Sequence, residues 1–211
     1  VSRIDPRTKS VAATIDVGGR PTGIATDRRA VWVVTYAGQI SRIDPATNTV
    51  TSSIQTGTSE TTKIAAGEGS VWIASSAEGT VTQVDQATGR VVVDEPIVVP
   101  GHPDVAVARG YLWATSSADG ALLRIDASTG NVLDVVRVGE GGPSPIQFSI
   151  EVGDGFVWVL GGFESEMLQV DPSTGEIVNQ YFVDSSAVDV TVGGGSLWLA
   201  SLGHSIIELQ K

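Results

Sequence analysis

Glu151 stands where every other copy of a repeated pattern carries a small or hydroxyl side chain. Aligned on Trp32, Trp72, Trp113, Trp158 and Trp198, the position seven residues earlier reads Ala25, Ala65, Ala106, Glu151 and Thr191. Two positions earlier again, the column reads Gly23, Lys63, Asp104, Ser149 and Asp189. A glutamate crowded by Asp104 and Asp189 and shielded from water has its ionised form disfavoured twice, by desolvation and by like charge. Such a carboxyl either exchanges a proton near neutral pH or recovers its charge by accepting a cation. Lys63 offsets the crowding only if it reaches across to the acids. His102, Glu164 and His204 fall in adjoining loops, so the candidate ligand-binding set is Lys63, His102, Asp104, Glu151, Glu164, Asp189 and His204. Its expected ligand is a basic group of a small molecule or protein partner, or a divalent cation held by Asp104, Glu151 and Asp189.

Other chemistry is thinly represented. His102 and His204 are the only histidines and show no H-x-x-x-H spacing, and cysteine is absent, so no metal site is assigned from spacing. The serines of "IASS" and "ATSS" lack a G-x-S-x-G turn. The glycine-rich "GEGGPS" and "VGGGS" lack the GK[ST] that a phosphate loop needs.

The elements that must position the candidates come from the repeat. The phrase "ISRIDPATNTV" at 40–50 returns as "VSRIDPRTKSV" from Val1, "VTQVDQATGRV" from Val81, "LLRIDASTGNV" from Leu122 and "MLQVDPSTGEI" from Met167. Repeated aspartates at 5, 44, 85, 126 and 171 and the tryptophans advance together, by 39 to 41 residues with one step of 45. Each unit reads as four short strands rich in Val, Ile, Thr and Trp, punctuated by Gly, Pro, Asp and Asn. A four-stranded antiparallel unit of about 40 residues, repeated around an axis, is a β-propeller blade. The strands are named A to D outward from the axis. The aspartate then belongs to the C–D turn, where it accepts from nearby backbone N–H groups. The tryptophan is a wedge between blades.

The alternation of "PTGIATDRRAVWVV" with "SRIDPATNTVTSSIQTG" resembles the YVTN or YncE-like propeller repeats, and more distantly streptogramin B lyase and NHL repeats, over essentially the whole chain. The resemblance implies one all-β domain, 1–211. Five blades are expected, with an arc of a six- or seven-bladed ring as the alternative. Closure would pair the strand near Val11–Val17 with that near Ile206–Leu209, leaving one terminal segment spare. The implied role is a noncatalytic binding, sensor or scaffold domain of a larger bacterial protein, extracellular, cell-surface or periplasmic, with its site on the D–A and B–C loop face. A small propeller enzyme, lyase-like or cyclotransferase-like, is the alternative. Lyases of that kind use a His and Glu pair with magnesium, and a Phe-Thr-Glu phrase follows their tryptophans. Here "VVT", "IAS", "ATS", "VLG" and "LAS" follow instead, so no catalytic residue carries over.

Composition agrees. Hydrophobic residues make up 41 % of the 211 and charged residues 18 %, enough for a packed core. The net charge of −11, from 13 basic and 24 acidic side chains, repels phosphate backbones and anionic lipid, so nucleic acid is excluded as a partner. No apolar run is long enough to span a bilayer. The chain starts at Val1 and its one methionine is Met167, the expectation being a processed or excised piece whose signal or anchor would lie outside it.

Overall fold

The structure is a computed structural model that describes residues 1–92, 95–139, 148–161, 166–183, 186–202 and 205–210. Within them every regular element is a β-strand, and every strand pairing is antiparallel. The chain opens with a hairpin, β1 (Ser2–Asp5) and β2 (Ser10–Thr14). The first blade is β3 (Pro21–Thr26), β4 (Val31–Thr35), β5 (Gln39–Asp44) and β6 (Thr49–Gln55). The second is β7 (Thr61–Gly67), β8 (Ser70–Ser75), β9 (Thr80–Asp85) and β10 (Ile97–Val98). The third is β11 (Asp104–Ala108), β12 (Tyr111–Ser116), β13 (Ala121–Asp126) and β14 (Val132–Arg137). The fourth is β15 (Ser149–Gly153), β16 (Phe156–Gly161), β17 (Glu166–Val170) and β18 (Ile177–Phe182). The fifth is β19 (Ala187–Gly193), β20 (Ser196–Ser201) and β21 (Ile206–Gln210). Each is a simple meander in sheet order, and together they form the five-bladed propeller arrangement that the repeat predicts.

The repeated aspartates are turn residues. The Oδ1 atoms of Asp5, Asp44, Asp85, Asp126 and Asp171 accept from the backbone N–H of Arg7, Ala46, Thr88, Ser128 and Ser173 at 2.7 to 2.8 Å. Four residues beyond each aspartate the chain takes a left-handed turn, at Lys9, Asn48, Gly89, Gly130 and Gly175 (φ 54° to 78°). Glycine or asparagine suits that conformation and lysine does not.

The tryptophans on the B strands fill the spaces between blades. Trp32, Trp72, Trp113 and Trp158 are 0–2 % exposed. Each packs against the next blade: Trp32 on Ile64, Val71 and Ile73, Trp72 on Val105 and Leu112, Trp113 on Ile150 and Val157, Trp158 on Val190 and Leu197. Trp198 departs from the expectation. It is only partly buried, since no further blade packs on its face among the described residues.

The expected ring closure is not formed among the described residues. β2 pairs with β1, β21 pairs with β20, and no ladder joins the two sheets. The hairpin has a place of its own, since Ile15 and Val17 just beyond it pack on Val33 and Ile43 of the first blade. Both β1 and β21 are C-type strands, and a blade has room for one.

Candidate functional site

The candidate residues meet because the strand register repeats. Gly23, Lys63, Asp104, Ser149 and Asp189 each pair with the residue two beyond the tryptophan of their blade: Val34, Ala74, Thr115, Leu160 and Ala200. Glu151 pairs with Trp158 itself, two residues further along the innermost strand than Ser149. In the first, second and fifth blades the register slips by one residue just before this column, at Pro21/Gly23, Thr61/Lys63 and Ala187/Asp189. A bulge there re-aims the first side chains of the strand.

Lys63 does reach across. Its Nζ lies 2.7 Å from Asp104 Oδ2 and 4.0 Å from Asp189 Oδ1, joining three blades. The Asp104 carboxylate is 7 % exposed, Lys63 40 % and Asp189 60 %. Asp104 Oδ1 also accepts from the N–H of Val105 at 2.8 Å. Asp189 Oδ1 accepts from the Ser149 hydroxyl at 2.5 Å and from its neighbour's N–H, Val190, at 3.2 Å. Burial pushes the Asp104 carboxyl up against the pull of Lys63. Burial pulls the Lys63 ammonium down, but Asp104, then Asp189 and Glu151, outweigh it and hold its pKa above the usual lysine range.

Glu151 is different in kind. It is half-buried, and among the described residues it makes no hydrogen bond and no ion pair. Burial pushes its pKa up to about 7, Asp104 and Asp189 push the same way, and Lys63 opposes them. It lines two adjoining cavities. One, about 430 Å³, is bounded by Lys63, Asp104 and Asp189; the other, about 370 Å³, by the small and apolar side chains Ala25, Ala65, Ala106 and Val152. The carboxyl stands between the charged side chains of the first cavity and the small and aliphatic side chains of the second.

The structure thus brings together Lys63, Asp104, Glu151 and Asp189. His102 is exposed on the segment before β11, where its backbone N–H donates to Ser117 Oγ at 2.8 Å, and nothing bonds its ring to the four. Glu164 and His204 lie outside the described residues, as does most of the loop from 139 to 147. Two contributors were not singled out from sequence: Ser149, which orients Asp189, and Thr115, whose Oγ1 accepts from the Asp104 N–H at 3.1 Å. Ser149 shares the column of Lys63 and Asp104, which was the available signal. No group of three or more His, Asp or Glu side chains among the described residues is placed to hold a metal ion. In this cluster the lysine already takes the cation's place beside Asp104.

Five antiparallel blades with polar residues converging at one end of the channel define a β-propeller repeat protein. Within that class, residues 36–192 match the family profile described as outer membrane protein assembly factor BamB, and the chain belongs to this family. No curated protein matches by sequence. Solved structures show the fold. A virginiamycin B lyase from Staphylococcus aureus is similar at a TM-score of 0.67 and 18 % identity, over 90 % of this chain and 70 % of its own. The computationally designed Ika8 protein is similar at 0.64 and 15 %, over 97 % and 75 %. Hydrazine synthase of Kuenenia stuttgartiensis is similar at 0.67 and 11 %, over 93 % and 68 %.

Proposed function

We propose that the protein is a noncatalytic binding propeller that receives a basic group, ammonium or guanidinium, of a ligand or protein partner at its channel mouth. Glu151 is the first acceptor and Asp189 the second. Asp104 serves through Lys63, which it holds in place. The observation that carries this reading is a half-buried carboxyl with no partner, facing a cavity that two further carboxylates border. A charged donor entering there replaces the lost hydration and completes hydrogen bonds that Glu151 lacks. An extracytoplasmic scaffold or sensor role accords with the family description, which names an outer membrane protein assembly factor. No helix among the described residues is long and apolar enough to cross a membrane.

A propeller enzyme using Glu151 as general acid or base is the second reading, favoured by a pKa of about 7. It lacks a partner for the proton, since no described histidine hydrogen-bonds to Glu151.

The test is thermal unfolding in the presence of oligolysine, oligoarginine, calcium or magnesium, on the parent and on Glu151→Gln. A basic peptide at one hundred times Kd is expected to stabilise the parent by about 2.7 kcal/mol and the variant far less. The metal arms separate a divalent-cation site from a site for organic cations. A parent that responds to no cation, or a variant that responds equally, overturns the assignment.

A further inference from the structure

One arginine of the C strands lacks the partners its equivalents have. The residue two before each turn aspartate reads Arg3, Arg42, Gln83, Arg124 and Gln169. Three of these reach sideways to the next C–D turn: Arg3 Nη1 donates to Pro45 O at 2.7 Å, Gln83 Nε2 to Ala127 O at 3.1 Å and Arg124 Nη1 to Ser173 O at 2.6 Å. Each also has a side-chain partner, Asn48 for Arg3, Ser70 for Gln83 and the Asp134 carboxylate for Arg124. Gln169 accepts from Asn179 and Tyr181. The Arg42 guanidinium makes no hydrogen bond and no ion pair among the described residues, and its Nε is buried without a partner.

The sequence accounts for the difference. Arg124 pairs across β13 and β14 with Asp134, whereas Arg42 pairs across β5 and β6 with Ser52. A short hydroxyl stands where the third blade has a carboxylate. The guanidinium is held all the same, its carbon 5.7 Å from the centre of the buried Trp32 ring, much as Arg124 lies 5.1 Å from that of Tyr111. It borders a groove of about 560 Å³ between the first two blades, walled by Ser52, Ser53 and Gln55 of β6 and by Gln86 and Thr88 of the next turn. Arg42 is the one charged side chain among the described residues on that border. Asp27 and Asp85 border a smaller hollow beside it and are already engaged, Asp27 by the Trp32 indole and two backbone N–H groups, Asp85 by Thr88. None of the groove's residues borders either cavity at Glu151.

We propose that this groove binds a carboxylate, which docks on the Nη nitrogens of Arg42 in the place that Asp134 fills at Arg124. A planar guanidinium takes a carboxylate through two parallel, charge-assisted hydrogen bonds, and the hydroxyls of Ser52, Ser53 and Thr88 border the same space as further donors. Asp27 and Asp44 interact electrostatically with Arg42, so the site accepts a single negative charge more readily than a tetrahedral dianion. The carboxylate belongs to a small organic acid or to an acidic side chain of a peptide.

Nuclear magnetic resonance titration of the full chain with propionate, with a capped serine peptide carrying one glutamate, and with sulfate tests this. In the parent both carboxylates are expected to move the amide signals of Ser52, Ser53 and residues 87–89 in a saturable way, and sulfate to bind more weakly. Arg42→Gln places there the residue that the column already holds at Gln83 and Gln169, and is expected to weaken both carboxylates on the order of tenfold or more. Ser52→Asp supplies from within the chain the carboxylate of the third blade, and is expected to close the site while the signals of Lys63, Asp104 and Glu151 stay in place. The order of affinity of propionate and peptide tells a free acid from a peptide-borne one, and either order supports the site. A parent without saturable shifts at these residues, a preference for sulfate, or carboxylate binding undiminished in either variant overturns the proposal.

Discussion

Glu151 holds its proton more tightly in the folded chain, at a pKa of about 7, than at the ordinary glutamate value of 4.5. Between those values the folded state keeps a proton that the unfolded state releases, so this group lowers stability as pH rises through the window and adds no further loss above it. Glu151→Gln is expected to flatten that fall, as measured by urea unfolding at pH 5 and pH 8. A variant with the same decline as the parent places the titration elsewhere. Lys63 tests the other side of the cluster. Removing its ammonium leaves Asp104 buried without a counter-ion, so Lys63→Met is expected to cost about 2–3 kcal/mol at pH 7, discounted from the cost of a fully buried pair because the lysine is 40 % exposed. The cost shrinks as pH falls, because burial raises the Asp104 carboxyl and proton uptake removes the uncompensated charge. The sequence made the column of charges legible because one position in each blade maps to one place on the axis. It did not show that Lys63 bridges Asp104 and Asp189, since that depends on the length of a flexible side chain and the spacing of neighbouring blades.

The strands and their turns were legible for a local reason. The Asp-to-backbone hydrogen bonds of the C–D turns close within three residues, and the left-handed position four beyond the aspartate is written as Gly or Asn in four copies of five. Those bonds, chiefly to Ala46 N–H for Asp44 and to the hydroxyls of Thr88, Ser128 and Ser173 for the others, hold Asp44, Asp85, Asp126 and Asp171 below the usual carboxylate range. Lys9 is the exception at φ 54°, and Lys9→Gly is expected to raise stability by about 0.5–1 kcal/mol, the relief of left-handed strain less the added freedom of the unfolded chain. A thermal melt of the variant checks this; an unchanged or lowered midpoint places no strain at Lys9. Between blades the wedges dominate. Trp113→Ala empties a site with no exposure and is expected to cost about 3–5 kcal/mol, while Trp198→Ala, at a face without a neighbour, costs clearly less. Equal losses at the two positions contradict the open last face. Closure was not legible, because two C-type strands compete for one position and only the three-dimensional arrangement ranks them.

At the scale of the molecule, the propeller sets innermost strands from successive blades side by side, and charged side chains gather where those strands break the repeat. The blades supply rigidity, since each inter-blade space is filled by a tryptophan and the branched aliphatic side chains of its neighbour. The mouth supplies charge, three carboxylates against one ammonium. A cationic group seated there draws the Glu151 pKa down from about 7, so at pH 7 binding must expel protons from a carboxyl that is about half protonated. Calorimetric titration of oligolysine at pH 7, in buffers of low and high ionisation enthalpy, reads that release directly. The account predicts that about half a proton leaves the parent per peptide bound and that the buffer dependence vanishes in Glu151→Gln. Binding with no proton release, or with equal release in both proteins, would contradict it.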